Sequence, residues 1–87
     1  DNEASFAELR ERIAKTLAFI ETVPASKIDG GEERDVVVPR RDGPVTYKGE
    51  AYLKTNALPN FFFHLTTAYA ILRSNGVEIG KTDFLGG

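Results

Sequence analysis

Apolar residues recur at three- and four-residue steps near the start of the chain. The positions are Phe6, Leu9, Ile13, Leu17 and Ile20. This spacing predicts an amphipathic helix with one apolar face. Ser5 and Glu8 have the spacing of a capping box at its start, and Val23-Pro24 is expected to end it because proline disfavours a helical residue before it. On the polar face, Glu8–Arg12 and Glu11–Lys15 are predicted to form i,i+4 pairs on a solvated surface.

The middle of the chain alternates β-prone runs with turn residues. Residues 35–39 and 44–48 are two such runs, and Asp42-Gly43 lies between them. An Asp-Gly pair between β-prone segments predicts a hairpin. Pro39 and Pro44 cannot donate to a strand ladder, so the hairpin is expected to be small and at an edge. The two arginines before Asp42 are interpreted as a solvated turn in preference to an anion-binding tip.

A second helix is predicted to begin after Gly49 and to end at Asn75-Gly76, where glycine supplies a left-handed C-cap followed by the apolar Val77. Pro59 leaves two alternatives open. Either one kinked helix runs from about residue 50 to 75, which is the preferred interpretation, or a new helix begins with Asn56 as N-cap. The tail, residues 81–85, is predicted to be extended, with Phe84 and Leu85 folded back onto apolar surface.

The second helix has an unusual stretch of eighteen residues, 55–72, without a single charge. Asparagine, histidine, threonine and proline within it are too polar for lipid, so a membrane span is not predicted. A helical wheel puts apolar side chains on several sectors, which indicates a helix buried on most of its circumference. Full burial requires about three neighbouring helices. We therefore expect a second copy of the chain, or a missing N-terminal half, to cover it.

Between the apolar sectors runs a polar stripe that contains Asn60, His64 and Thr67. The favoured interpretation is a buried polar network that hydrogen-bonds neighbouring helices or a carbonyl released by Pro59. The alternatives are the lining of a small-molecule pocket, with His64 as ligand or acid/base, and a metal site that uses His64. The stretch contains no carboxylate to serve as a co-ligand, so a metal site is the least favoured.

Composition narrows the class of protein further. The 87 residues are 41% hydrophobic and 28% charged, which predicts one globular domain over residues 1–87. The net charge is −2 without a basic cluster, so neither nucleic acid nor a membrane surface is an expected partner. The chain has no cysteine and no methionine. The first fits a cytoplasmic protein, and the second predicts a chain that starts inside a longer product or has been trimmed.

The run LPNFFFHLTTAYAILRSNGVEIGKTDFLG, together with ASFAELRERIAKTLAF at residues 4–19, resembles an uncharacterised family among the DinB/YfiT-like four-helix bundles. The resemblance implies a mainly α fold: the C-terminal half of an up-down bundle, with two long helices, a small hairpin between them and two further helices before Asp1. Many DinB-like proteins bind a divalent metal through three histidines, two of them in an H-x-x-x-H pair. His64 matches the first of that pair, but Ala68 occupies the second position.

These observations predict an uncharacterised DinB-like helical-bundle protein, without a demonstrable catalytic site, that self-associates as a homodimer or is completed by a missing N-terminal half. No cofactor is predicted. The alternative, which the resemblance supplies, is a metal- or thiol-dependent transferase or hydrolase with His64 in its pocket.

Overall fold

Residues 1–87 are all described by the computed structural model, and they divide into two compact units, residues 1–31 and 32–87. The first unit holds helix α1, Phe6–Glu21, and a 3₁₀ turn at Ala25–Lys27. The second holds strands β1, Asp35–Val38, and β2, Val45–Lys48, followed by helices α2, Gly49–Tyr52, α3, Leu58–Ser74, and α4, Lys81–Phe84. The chain is thus mainly helical with one hairpin, as predicted. The single domain over residues 1–87 stays a prediction.

Helix α1 begins where the capping signal lies. Ser5 is the N-cap, and its hydroxyl oxygen accepts a hydrogen bond from the Glu8 backbone N–H at 3.2 Å. The Glu8 carboxylate reaches one residue further back than a capping box predicts and accepts from the Ala4 N–H. Arg12 pairs with Glu3 and not with Glu8. The predicted Glu8–Arg12 pair is therefore wrong, because the segment before the helix offers Arg12 another carboxylate. The predicted Glu11–Lys15 pair does not form either.

The hairpin is confirmed. Strands β1 and β2 pair antiparallel, with Asp35 opposite Lys48 and Val38 opposite Val45. Gly43 takes a φ of 111° in the turn, a conformation that favours glycine. At the open end, Lys48 donates to Asp35 at 2.8 Å, and this bond raises the pKa of the Lys48 ammonium. The hairpin also supports the next element, since the Tyr47 and Tyr52 rings lie 5.8 Å apart.

The second long segment is continuous from Gly49 to Ser74, as the preferred interpretation predicted, while the kink at Pro59 stays a prediction. Its first part changes register, because Leu53–Ala57 form a π-helix in which the Leu58 N–H bonds to the Leu53 carbonyl. Pro59 has no N–H to donate to the carbonyl four residues before it. The wider π turn lets the helix pass this position without ending, and the Thr55 hydroxyl bonds to the Ala51 carbonyl at 2.7 Å beside it.

Helix α3 ends in a Schellman motif. The Gly76 N–H bonds to the Arg73 carbonyl, and the Val77 N–H bonds to the Leu72 carbonyl, each at 3.1 Å. Gly76 has a φ of 96°, as the sequence predicts for this cap. The Asn75 side chain adds a hydrogen bond to the Ile71 carbonyl.

The tail differs from its predicted extended form. Lys81–Phe84 make one helical turn, and the Gly80 N–H donates to the Asp83 carboxylate at 2.7 Å at its start. This hydrogen bond stabilises a single helical turn. One turn is too short to show the hydrophobic periodicity by which a helix is recognised in a sequence. Phe84 folds back as predicted, its ring edge-on to Tyr69 at 5.4 Å. Leu85 does not fold back: it is 70% exposed.

We predict that Gly76→Ala lowers the free energy of unfolding by about 1–2 kcal/mol, because an L side chain at a positive φ clashes with its own backbone. Urea denaturation followed by circular dichroism measures the change. Gly80→Ala is the matched control, since Gly80 is extended at a φ of −139° and its added Cβ meets only ordinary contacts. Equal effects of the two substitutions would contradict the role of the cap.

Candidate functional site

The polar stripe predicted from the sequence lies along α3. Helical geometry brings Asn60, His64 and Thr67 onto one face, since they are separated by four and three residues. All three side chains are exposed, and none makes a hydrogen bond within the chain. The predicted buried network is therefore not formed by this chain's own residues. Whether the stripe lines a pocket or a packed interior stays a prediction.

His64 has one aromatic neighbour. The Phe63 ring lies 5.3 Å from the imidazole, edge to face. An apolar neighbour of this kind supplies neither a proton nor a counter-charge. No acid, base or nucleophile contacts the imidazole, so the chain alone does not assemble an acid/base pair around it.

The metal hypothesis depends on co-ligands for His64. The chain contains no group of three histidine, cysteine, aspartate or glutamate side chains placed to hold a metal ion. The position one turn after His64 is Ala68, and the whole uncharged stretch contributes no carboxylate. A structural or catalytic zinc site uses three or four protein ligands. The donor set of this chain does not fit a metal site, and we derive no chemistry through one.

One residue that the sequence analysis did not connect with the stripe lies one turn before it. Asn56 is half-buried within the π segment and makes no side-chain hydrogen bond in the chain. In the sequence, the signal that connects Asn56 with the stripe is its four-residue spacing to Asn60. Asn56 lies in a π turn, and π turns recur at functional positions.

Tyr69 is the one place in the second unit where a buried polar atom has no partner. Its hydroxyl is enclosed yet makes no hydrogen bond, while its ring packs against Phe84. Leaving a buried hydroxyl unpaired costs roughly 1–3 kcal/mol.

The first unit carries an open groove along the polar face of α1, lined in part by Glu3, Glu8, Arg12 and Lys15. The Glu3 backbone N–H and then the Arg12 guanidinium hold the pKa of the Glu3 carboxyl below its usual value. Charges of both signs alternate here, and no buried donor or nucleophile faces the groove. It therefore has the character of a solvated surface, as predicted for this face.

Most of the apolar surface on α3 is exposed. Phe61 is 59%, Phe63 63%, Leu65 41% and Leu72 50% exposed, and no residue of the second unit is fully buried. Only Tyr69, which contacts the tail, is half-buried in α3. None of the helices is both long enough and apolar enough to cross a membrane. The dominant feature of α3 is thus a broad apolar surface interrupted by the polar stripe.

Comparison with known proteins identifies the family to which this chain belongs. The family model for a domain of unknown function, DUF1993, matches residues 1–85. The chain belongs to the DUF1993 family. It is also similar to the crystal structure of a DinB family member protein from Shewanella denitrificans, with 41% sequence identity and a TM-score of 0.84. The resemblance to an uncharacterised family of the DinB-like superfamily is confirmed.

The similarity covers 99% of this chain and 48% of the Shewanella protein, so the chain spans about half the length of that relative. No curated protein matches the chain. The DUF1993 model describes a domain of unknown function, and the Shewanella protein is described as a DinB family member. The chain's own residues are therefore the basis for a functional proposal.

We predict that His64→Ala leaves the uptake of Co²⁺ by this chain unchanged, because His64 has no co-ligands in the chain. Isothermal titration of both proteins at neutral pH, with Co²⁺ as the probe, measures this. The Asn60→Ala variant is the matched control for a change on the same face of α3. Tighter binding by the wild-type chain than by His64→Ala would contradict the assignment and restore the metal hypothesis.

Proposed function

We propose that this DUF1993 chain acts as a bundle-forming module, whose α3 packs against helices supplied from outside the chain. In this proposal the chain works through helix packing and not through a catalytic group of its own. The observation that carries it is the exposed apolar surface of an eighteen-residue uncharged stretch. Relationship to the DinB-like superfamily supports a four-helix bundle as the completed form.

The exposed apolar side chains of α3 carry a large energetic cost in water. Covering one large apolar side chain contributes about 1.5–3 kcal/mol, while a whole domain is stable by only about 5–15 kcal/mol. Leaving Phe61, Phe63, Leu65 and Leu72 half in water therefore forfeits an amount comparable with the stability of a domain. Soluble monomers rarely expose an apolar patch of this extent.

The chain's own elements supply too few neighbours for α3. Its unit provides a two-stranded hairpin, which packs against α2, and a one-turn tail, which contacts Tyr69. Helix α1 is the single other long helix and offers one apolar face. Apolar sectors on several sides of α3 require about three neighbouring long helices, which is more than the chain contains besides α3.

Because residues 55–72 carry no charge, they also determine which kind of side chain the covering helices present to α3. A charged side chain placed against residues 55–72 would lose its hydration without an ion-pair partner in this stretch. The covering surface is therefore apolar, with polar groups opposite Asn60, His64 and Thr67. In the completed bundle those three side chains have donors and acceptors that the chain alone does not give them.

We expect Leu65→Lys to weaken association of the chain by about 10- to 100-fold, since the substitution removes a leucine that association would bury and places a charge in the interface. Sedimentation equilibrium over a range of concentrations measures the dissociation constant. Ser74→Lys is the matched control: it adds the same charge to the same helix, but beyond the uncharged stretch and beside Arg73.

A wild-type chain that sediments as a folded monomer, with cooperative thermal unfolding independent of concentration, would overturn the proposed function. Equal weakening by Leu65→Lys and Ser74→Lys would also count against α3 as the interface, because the charge alone would then explain the effect.

A further inference from the structure

We propose that Asn75 is a deamidation site whose reaction is held back by the cap at the end of α3. Asn75 is exposed and is followed by Gly76. In this reaction the Gly76 backbone nitrogen attacks the Asn75 side-chain carbon Cγ and closes a cyclic imide. The proton of the Gly76 nitrogen passes through solvent to the departing amide, which leaves as ammonia. Water then opens the ring to aspartate or isoaspartate, so solvent is the sole co-reactant.

The residue after Asn75 leaves the attacking nitrogen unhindered. A side chain at that position would crowd the nitrogen as the ring closes, and glycine has none. No atom of the chain lies within 4 Å of the place where a Cβ of Gly76 would stand. The other three asparagines precede residues with side chains; they are Asn2, Asn56 and Asn60. Asn75 is therefore the asparagine of this chain that is chemically predisposed to react.

The folded cap holds the reacting atoms apart. Asn75 has a ψ of 13°, which turns the Gly76 nitrogen towards the backbone nitrogen of Asn75 and away from its Cβ. The imide ring contains Cβ and Cγ, so the backbone must rotate about the Cα–C bond of Asn75 before the ring closes. That rotation breaks the bond from the Gly76 N–H to the Arg73 carbonyl. It also displaces the Val77 N–H from the Leu72 carbonyl, which it contacts at 3.1 Å.

The side chain of Asn75 is held in place as well. Its amide nitrogen donates to the Ile71 carbonyl at 2.8 Å, and the Ser74 hydroxyl donates to the same carbonyl at 2.9 Å. These bonds direct the amide back along α3, whereas the reaction brings Cγ towards the following residue. The Gly76 proton that must be lost is itself bonded to the Arg73 carbonyl. Reaction therefore requires a local opening of the cap.

Either product weakens the cap that slows its formation. A carboxylate at position 75 cannot donate to the Ile71 carbonyl, and it adds a negative charge where the helix dipole is already negative. Isoaspartate also lengthens the main chain by a carbon atom, which moves the Gly76 N–H away from its acceptor. A single event in the open state thus leaves the last turn of α3 permanently less stable.

Peptide mass spectrometry of the wild-type chain tests the site and its protection. The chain is incubated at mildly alkaline pH, in native buffer and in concentrated guanidinium chloride, and digested with trypsin. Cleavage after Arg73 and Lys81 releases a peptide whose one asparagine is Asn75. We expect deamidation at least about ten-fold slower in native buffer, since only the open fraction of the cap reacts. The peptide 55–73 carries Asn56 and Asn60 as internal controls, and both are expected to react much more slowly in denaturant.

Val77→Pro tests the cap without altering the reacting residues. Proline removes the N–H that bonds to the Leu72 carbonyl, so deamidation in native buffer is expected to rise towards its rate in denaturant. The rate in denaturant is expected to stay the same. Val77→Ala, which retains the N–H, is the matched control and is expected to react like the wild type. Circular dichroism checks that Val77→Pro keeps its helices; if it does not, the wild-type comparison, which needs no substitution, decides.

Three results would overturn the inference. Equal wild-type rates in native buffer and denaturant would remove the protection by the cap. An Asn75 that stays intact in denaturant, or that reacts no faster than Asn56 and Asn60, would remove the site. A folded Val77→Pro that reacts as slowly as the wild type would remove the cap as the cause. The deamidated chain, separated by ion exchange, is expected to unfold at a lower denaturant concentration, and an unchanged midpoint would contradict the effect on α3.

Discussion

The large apolar surface that α3 leaves in water is the constraint on which the other features depend. An uncharged helix with phenylalanine and leucine on several sides is unfavourable in water, and its neighbours within the unit cover only the Tyr69 sector. The hairpin and the capped ends support the helix locally, through exposed ion pairs and backbone hydrogen bonds that each contribute little. Lys54, for example, lowers the pKa of the Glu50 carboxyl, but both groups are solvated. The free energy that decides the state of this chain lies in its apolar surface.

The same constraint explains why the polar stripe on α3 matters. Asn60, His64 and Thr67 interrupt the apolar circumference of α3, and they have no hydrogen-bond partners in the chain. Polar groups enclosed by other helices are almost always paired. In a completed bundle the stripe would therefore specify the register of the packed helices, since sliding one helix past another would separate each polar group from its partner.

Local signals made much of the fold predictable. Ser5, the Asp42-Gly43 turn and Asn75-Gly76 each determine a cap or turn through the conformational preferences of one or two residues, and the structure confirms all three. The predictions were wrong where a residue outside the recognised pattern forms the interaction. Arg12 pairs with Glu3, and the Asp83 carboxylate accepts the hydrogen bond that closes a turn in the tail. The stripe was found from its spacing, but the sequence does not encode what faces it, because that depends on helices other than α3.

The π segment at Leu53–Ala57 has a consequence for insertions and deletions. It holds one residue more than a regular turn needs, so the extra residue is absorbed within this turn. Removing a single residue there would restore a regular α-helical turn and leave α3 facing nearly the same way relative to β1 and β2. Removing one residue from a regular part of the helix would instead turn the apolar surface of α3 by about 100°. The helix therefore accommodates a change of length at this short stretch and not elsewhere, which ties the position of such a change to the geometry of assembly.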